Sequence, residues 1–253
     1  MHKLIYLLWG PRGLDRALAR EALLGLAPRL LEAGATQLGL DVIDPESNLR
    51  PPTLALPWEP RLCGLVNAWV EAPAAHDRLA ACLQDAPVAW RVAGYRVDET
   101  VYTDYGDNRH AAARDWPDGQ RSPGIIQVTL LRRPRRLPPE EWLRRWHGTM
   151  SPVSEAIQPR TRYVRDLVLE TLTPGAPRYD GVVEEAWPSA RHVKSPLLYF
   201  GAESGWQLAV NAGRILRAVT SFLHIWEIRS AMMGEYLMRT DARVPRTRRG
   251  RYD

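Results

Sequence analysis

The chain repeats itself, and this repeat constrains its fold more than any other feature. The segment "LIYLLWGPRGLDRALAREAL", which begins at Leu4, resembles "IIQVTLLRRPRRLPPEEWLRRW", which begins at Ile125. Three further matches follow in the same order: "QLGLDVID" with "YVRDLVLE", "CGLVNAWVE" with "DGVVEEAWP", and "VYTDY" with "MMGEY". The four offsets range from about 117 to about 131 residues. Such ordered matches indicate two structurally equivalent halves.

Each half has the pattern of a split βαβ unit. Apolar runs typical of strands and helices follow in the ferredoxin-like order strand, helix, strand, strand, helix, strand. One such sheet leaves a face uncovered, whereas two can cover each other. The sequence therefore predicts an α+β fold in which two tandem ferredoxin-like βαββαβ units form a single-chain dimeric α+β barrel. The predicted parts are a degenerate first half (1–105), a linker (106–123), a second half (124–238) and a basic tail (239–253).

The last predicted strand, near "HIWEIRSAMMGEY", is ambiguous. The run "SAMMGEYLMR" within and beyond it fits a helix as well as a strand. Periodicity alone does not separate the two for a short apolar run.

The charge of the chain is concentrated at its C-terminal end. The formal net charge is +5, and the tail from Arg239 to Asp253 holds six Arg and two Asp, which contribute +4. A nearly neutral body argues against a nucleic-acid-binding protein, which needs a basic stripe on its folded surface. The tail suits either a solvated terminus or an arm that binds phosphate or another subunit.

No segment indicates export or a membrane span. The apolar run from Leu4 to Trp9 is too short for a signal segment, and no run reaches the roughly 18 apolar residues that a membrane span needs. Cys63 and Cys82 have neither disulfide-framework nor zinc spacing. We therefore expect a cytoplasmic protein with a small hydrophobic or aromatic substrate and no nucleic-acid or membrane partner. A homodimer is a further expectation.

The second half contains "PPEEWLRRWHGTMSP", and a tandem ferredoxin-like chain with this segment resembles the EthD-type members of the dimeric α+β barrel superfamily. Their first helix carries a Trp, then three residues, then His-x-Pro. Trp146 and Pro152 match this pattern, and Met150 occupies the His position. "RYVRD" and "YDGVVEEAWPS" are similar to the second and third strands of EthD-like sequences. The first half matches only through the repeat and lacks the helix motif.

The resemblance implies a fold more than an activity. The superfamily includes cofactor-independent cyclases, lyases, decarboxylases and isomerases, quinol-forming monooxygenases and haem enzymes, so fold does not fix function. If relatives use the motif His as a base, this protein does not, because the thioether of Met150 cannot transfer a proton.

The motif lies on a predicted helix that begins near Pro139, a residue suited to a first turn. Five side chains at spacings of three and four predict one apolar face: Trp142, Trp146, Met150, Val153 and Ile157. We predict that Met150 packs against the two tryptophans. His147 lies about a quarter-turn from the centre of that face. It is either a half-exposed flanking residue or a proton-transfer group at a pocket rim.

Polar residues on the predicted strands complete the catalytic candidates. Tyr163 and Arg165 share a face by the two-residue period. An inward Arg holds a carboxylate or phenolate bidentately, or else it bridges to an acid across the sheet. Glu184 and Glu185 point to opposite faces, so one is buried, with a raised pKa unless an Arg pairs with it. The catalytic candidates are His147, Tyr163, Arg165 and Glu184.

Aromatic and cationic side chains are the candidates for substrate binding. They are Trp142, Trp146, Met150, Arg91, Tyr95, Tyr102, Trp187 and His224. Arg91, Tyr95 and Tyr102 lie along the closing strand of the first half, where they line a pocket or are simply half-buried. His224 lies in the apolar run "SFLHIWEI". It is a core histidine by default, and neither a second ligand nor a CxxCH motif supports it as a haem ligand.

Missing motifs narrow the chemistry. The chain has no phosphate-binding glycine loop, no metal-ligand spacing and no G-x-S-x-G elbow. We therefore predict an enzyme that needs no cofactor and no metal. It would act by proton transfer, as a decarboxylase, dehydratase or cyclase, on a small hydrophobic, aromatic acid or phenol. The alternatives are a non-catalytic accessory protein of a degradative pathway and a haem-dependent relative.

Overall fold

A computed structural model describes residues 1–53 and 59–240. In these ranges eight strands close into an antiparallel barrel, in the order β1-β3-β2-β8-β5-β7-β6-β4. The strands are β1 (His2–Gly10), β2 (Ala35–Val42), β3 (Arg61–Val70), β4 (Arg91–Thr103), β5 (Ile125–Leu131), β6 (Arg162–Thr171), β7 (Gly181–Trp187) and β8 (Arg229–Arg239).

The helices pack on the outside of the barrel. The first half has α1 (Arg16–Gly25) and α2 (Ala27–Glu32) between its first two strands, and α3 (His76–Gln84) before its last strand. The second half has α4 (Pro139–Arg145), a π-helical turn (Trp146–Met150) and α5 (Ser151–Ile157) in the first crossover. Its second crossover holds α6 (Ala190–Lys194), α7 (Pro196–Tyr199) and α8 (Gly205–Phe222). Both halves have the order βαββαβ, so the predicted fold is confirmed.

The two halves join at two seams, β2 with β8 and β4 with β6. At these seams Asp41 lies opposite Glu235, and Asp166 lies opposite Glu99. These pairs define the equivalent positions of the two halves. The sequence match of β2 with β6 is therefore wrong by one residue, and that of β4 with β8 is also displaced. A one-residue slip exchanges the faces of a strand.

The ambiguous segment is strand β8. Both of its edges are occupied, because it pairs with β2 on one side and with β5 on the other. Local propensity does not decide between helix and strand here, and backbone pairing on both sides stabilises the strand. The barrel closes only if this segment is extended.

Three separate cores hold the molecule together. The first half packs α1, α2 and α3 on its sheet through mostly aliphatic side chains, such as Leu23, Leu30 and Leu79. The second half packs α4 and α8 on its sheet through aromatic side chains, such as Trp142, Trp146 and Phe222, together with aliphatic ones. The third core fills part of the barrel lumen, with Ile5, Val128 and other residues from both halves.

Two further sequence predictions concern membrane spans and the basic tail. None of the helices in ranges 1–53 and 59–240 has the length and apolar character to cross a bilayer. Of the predicted basic tail, residues 241–253 lie outside the described residues.

Candidate functional site

The π-helical turn moves the buried face of the motif helix by one residue. Trp146 and His147 are both buried, and the next buried positions are Ser151, Ser154 and Ile157. A π turn accommodates an extra residue, so a stripe drawn with a uniform α-helical period goes out of phase beyond it. The rim position expected for His147 is therefore wrong: its ring is buried and packs edge-on against Trp146 at 4.8 Å between centroids. Met150 contacts the tryptophan cluster but is only partly buried.

The same turn places a serine against the two strand residues predicted to share a face. Ser151 Oγ donates to the carbonyl oxygen of Trp146 at 3.1 Å. It also lies 3.2 Å from the hydroxyl of Tyr163, and it accepts a 2.9 Å bond from Arg165. Arg165 as a whole residue is 1 % exposed. Tyr163 and Arg165 thus lie together under the helix.

Tyr102 joins this group from the neighbouring strand. A register shift between Val101 and Thr103 interrupts the pairing of β4 with β6. The ring of Tyr102 lies 5.6 Å from that of Tyr163, and the Arg165 guanidinium lies 4.9 Å from the Tyr102 ring. We call this group the outer site: Tyr102, Trp142, Trp146, His147, Ser151, Tyr163 and Arg165.

The tryptophan wall of the outer site depends on a glycine. A Cβ on Gly181 would lie 2.6 Å and 2.8 Å from ring carbons of Trp146, and 3.4 Å from Trp142. The bare backbone of β7 therefore lets the indole rings lie directly on the sheet. The two rings lie 4.9 Å apart. The indole N–H of Trp142 is buried and has no hydrogen-bond acceptor among the described residues.

A second polar group, which the sequence did not predict, borders the outer site. Arg160 is fully buried and donates to Glu185 at 2.7 Å and to Ser154 at 2.9 Å. Its guanidinium also lies 3.9 Å from the ring of Tyr163. Burial lowers the pKa of Arg160, but Glu185 and neighbouring groups outweigh this and raise it. Arg160 follows a helix end and is not part of a strand pattern, so no periodic signal indicated its burial.

Glu184 does not belong to the outer site. It is the neighbour Glu185 that faces the helices, whereas Glu184 points into the barrel, where Asn67 donates to it at 3.0 Å and Lys3 lies 3.6 Å away. We call the charged group around it the lumen cluster. Its members are Lys3, Asp41, Asn67, Glu99, Arg162, Asp166, Glu184 and Glu235.

Three other candidates lie apart from the outer site. Tyr95 belongs to the lumen core, and its hydroxyl donates to the carbonyl oxygen of Pro177 at 2.6 Å. Arg91 is exposed and donates to the carbonyl oxygen of Gly175 at 3.0 Å. His224 is half-buried and stacks on Trp226, whose side chain is 59 % exposed, so it is not a core histidine.

Trp187 is fully buried on the strand next to the outer site and stacks on Tyr199 at 4.1 Å. Burial raises the pKa of Tyr199. Trp187 is the last residue of β7, so this pair lies at the end of that strand. The predicted binding role of Trp187 stays a prediction.

Among residues 1–53 and 59–240, no group of three or more His, Cys, Asp or Glu side chains is arranged to hold a metal ion. Two cavities stand out in this part of the chain. A small one of about 10 Å³ lies within the lumen cluster. A groove of about 590 Å³ lies on the surface beside α1, between Arg20, Glu46 and Arg121.

Solved structures are similar to this chain over most of its length. An anthrone oxidase-like protein superposes with a TM-score of 0.52 at 9 % identity, over 94 % of this chain and 93 % of that one. A monooxygenase-like protein from Lactobacillus acidophilus NCFM gives 0.45 at 8 % identity, over 94 % and 96 %. A chlorite dismutase variant from Candidatus Nitrospira defluvii gives 0.44 at 7 %, over 94 % and 91 %.

No family model matches the chain, and no curated protein matches it. The likeness to the anthrone oxidase-like protein therefore shows the fold alone, an α+β barrel of two ferredoxin-like halves. The resemblance to EthD-type proteins stays a prediction from the helix motif and the two strand segments.

Proposed function

We propose that the protein is an enzyme of EthD type that transfers protons on a small hydrophobic, aromatic acid or phenol, without a cofactor, at the outer site. The observation that carries this proposal is the buried guanidinium of Arg165. It is bonded to Ser151 and lies against Tyr102, and the Tyr163 hydroxyl is bonded to the same serine. A buried cation among aromatic rings and a hydroxyl chain suits an aromatic anion.

Five of the outer-site residues have a chemical role in this proposal. Arg165 binds the carboxylate or phenolate, and its fixed charge stabilises the anion that develops on the ring, because water is excluded. Tyr163 donates or accepts the proton, with Ser151 as the next group in the chain. His147 is a second proton-transfer group. The unsatisfied indole N–H of Trp142 supports a ligand oxygen at the tryptophan wall.

The reaction classes we propose all require stabilisation of a developing negative charge. Decarboxylation, dehydration and cyclisation of aromatic acids or phenols each build up negative charge that a nearby cation and a proton donor relieve. A fixed guanidinium and a hydroxyl chain supply both. Decarboxylation, dehydration and cyclisation are therefore proposed together.

A second candidate function is a non-catalytic binding or accessory protein. One observation favours it: the polar groups of the outer site bond to one another, and the two cavities described above lie elsewhere. A ligand would then have to displace existing contacts, which suits slow binding more than rapid turnover.

The first experiment uses 4-hydroxybenzoate, which carries both a carboxylate and a phenol. Binding is followed by tryptophan fluorescence, since Trp142 and Trp146 form the wall, and turnover is followed by chromatography of the reaction mixture over a panel of related hydroxy acids. The test variant is Arg165→Gln. The matched control is Arg96→Gln, an arginine paired with Glu170 on the exposed surface.

If the wild type forms product, Arg165→Gln abolishes this activity and Arg96→Gln leaves it unchanged, the result supports the enzyme proposal. Saturable quenching without product supports the accessory protein. A bound chromophore in the purified protein, or turnover that a chelator stops, would contradict the cofactor-free proposal.

A further inference from the structure

The inside of the barrel carries more negative than positive charge. The lumen cluster includes two cations and five carboxylates, all buried: Lys3, Arg162, Asp41, Glu99, Asp166, Glu184 and Glu235. An ionised carboxylate that is buried without a partner is costly, so such a group takes up a proton instead. The question is which carboxylate does so.

The two seams identify this carboxylate, because they are structurally equivalent but only one of them has a lysine. At one seam Lys3 donates to Glu99 at 2.7 Å and to both oxygens of Asp166 at 2.9 Å. The registers of β1 with β3 and of β5 with β7 make Ile126 the equivalent of Lys3 at the other seam. The isoleucine side chain cannot donate a hydrogen bond. Asp41 therefore lacks the lysine partner that Asp166 has.

The arginine of the lumen cluster is also engaged elsewhere. Arg162 donates to Glu235 at 2.6 Å and lies 3.4 Å from Asp104. The hydroxyl of Tyr105 donates to Glu235 as well, at 2.7 Å. Asp41 therefore receives a hydrogen bond from neither cation of the cluster.

Asp41 instead lies near a second carboxylate. Its side chain is 1 % exposed and interacts electrostatically with that of Glu184, which is 2 % exposed. Asp41 Oδ2 and Glu184 Oε1 are both buried, and neither accepts a hydrogen bond from any residue in 1–53 or 59–240. Both residues line the same 10 Å³ cavity. Two ionised carboxylates in this position would repel each other, whereas one proton between them satisfies both oxygens.

We infer that the barrel binds one proton between Asp41 and Glu184, and that this proton links the first half to the second across the lumen. Asp41 lies on β2 and Glu184 on β7, so the bond connects strands of different halves. Asp41 carries the proton and donates a hydrogen bond to the ionised carboxylate of Glu184. Glu184 remains ionised, held by Asn67 and Lys3.

The electrostatics of the lumen agree with this assignment. Burial, and then Glu184 and Glu235, raise the pKa of Asp41 well above its usual range. Burial pushes the pKa of Glu184 upward too, but Lys3 and Arg162 outweigh it and lower the pKa. The proton therefore belongs to Asp41.

The groups that face this pair come from most strands of the barrel. They are Lys3 from β1, Glu99 from β4, Arg162 and Asp166 from β6, Glu235 from β8, and Tyr105 and Asp104 after β4; β3 supplies Asn67 and Trp69, and β5 supplies only apolar side chains. Asp166 also has a raised pKa, through burial and then through Glu184 and Glu99 against Lys3. It is a second source of pH dependence, which the experiment must separate from Asp41.

The sign of the pH dependence follows from the raised pKa of Asp41. The stabilisation is fully present below the pKa of an unfolded aspartate, about 3.9. It is lost as the pH rises through the pKa in the folded protein. Within that window the slope from one such group corresponds to about 3–5 °C in Tm per pH unit for a chain of this size.

The test compares Tm from pH 5 to pH 9 for wild type, Asp41→Asn and Asp98→Asn. An asparagine at position 41 donates permanently to Glu184, so we expect a higher Tm than wild type at pH 9 and a smaller slope. Asp98 is exposed on β4, so Asp98→Asn should follow wild type. A slope unchanged in Asp41→Asn, or a variant less stable than wild type at pH 9, would overturn the inference.

Infrared spectroscopy of wild type keeps the test open if Asp41→Asn does not fold. At neutral pH we expect a protonated-carboxyl C=O band that shifts when the protein is labelled with 13C-aspartate. Asp166→Asn should retain the Asp41 component of this band. Absence of any shifting band would mean that both acids are ionised, with a water in the 10 Å³ cavity as the donor, and the inference would fail.

Discussion

The two halves have the same order of strands and helices, yet their helix-covered faces differ in chemistry. The first half covers its sheet with aliphatic side chains from three helices. The second half adds indole and phenol rings to the aliphatic side chains of this layer and encloses the guanidinium groups of Arg160 and Arg165. At the position that the seams make equivalent to Arg165, the first half has Leu40. The same topology thus supports a packed aliphatic layer in the first half and the outer site in the second half.

The difference begins in the first crossover of each half. In the first half the crossover is two α-helices, and in the second a π turn separates α4 from α5. This turn brings His147 and Ser151 to the sheet. The first half has its own buried tyrosine beside a histidine, with the Tyr6 hydroxyl 3.2 Å from His76 Nδ1, but no arginine bonds to either in the described residues. These two sites make the halves comparable by mutation.

The largest effect should come from Arg165→Gln. Removing the cation that faces the developing anion should lower turnover by about 10²- to 10³-fold, as the loss of an oxyanion donor does. Turnover of the best substrate from the hydroxy-acid panel is the measurement. A fully active Arg165→Gln variant would remove the chemical distinction between the halves.

The next effect is one of packing, and it uses equivalent glycines. Gly181→Ala should destabilise the protein by about 2–3 kcal/mol, because rigid Trp146 carbons lie 2.6 Å and 2.8 Å from the new Cβ. Gly64→Ala should cost less than about 1 kcal/mol, since the nearest atom is a Leu8 methyl at 3.0 Å, which can move. Urea unfolding of both variants decides this. Equal losses would mean that the indole wall is no more tightly packed than the aliphatic layer.

A smaller effect is expected from Tyr163→Phe. The change removes the hydroxyl that lies 3.2 Å from Ser151 and should lower turnover by roughly tenfold or more, as a lost proton-transfer group does. Tyr6→Phe in the first half is the counterpart. It should alter stability by about 1 kcal/mol and leave turnover unchanged. If both variants lose turnover equally, catalysis is not confined to the second half.

The smallest effect on turnover should come from His147→Gln. Its ring packs against Trp146, and Tyr163 carries the main proton transfer in our proposal. We therefore expect a loss of turnover below the usual range for a general acid or base, less than about tenfold. His76→Gln is the control in the first half. Circular dichroism of both variants confirms folding. Complete loss of turnover in His147→Gln, with Arg165→Gln still active, would reverse the proposed roles.

The sequence predicted the fold because the repeat constrains both halves at once. It also predicted that Tyr163 and Arg165 share a face, since the two-residue period is rigid within a strand. The same period left open which of Glu184 and Glu185 faces the helices, because alternation gives opposite faces but not their direction. The π turn was missed, because a helical period assumes regular turns, and the burial of His147 and Ser151 was missed with it.

The hydrogen bond from Asn67 to Glu184 joins equivalent positions of the two halves, 117 residues apart. A true two-fold axis between identical units would bring like against like, either two amides or two carboxylates. Two amides can still bond, but two carboxylates at this depth repel unless they trap a proton. With an acceptor in one half and a donor in the other, each half has become the specific complement of its neighbour. A second copy of either half would therefore be a poor substitute for the missing one, and the covalent connection guarantees that unlike halves always meet.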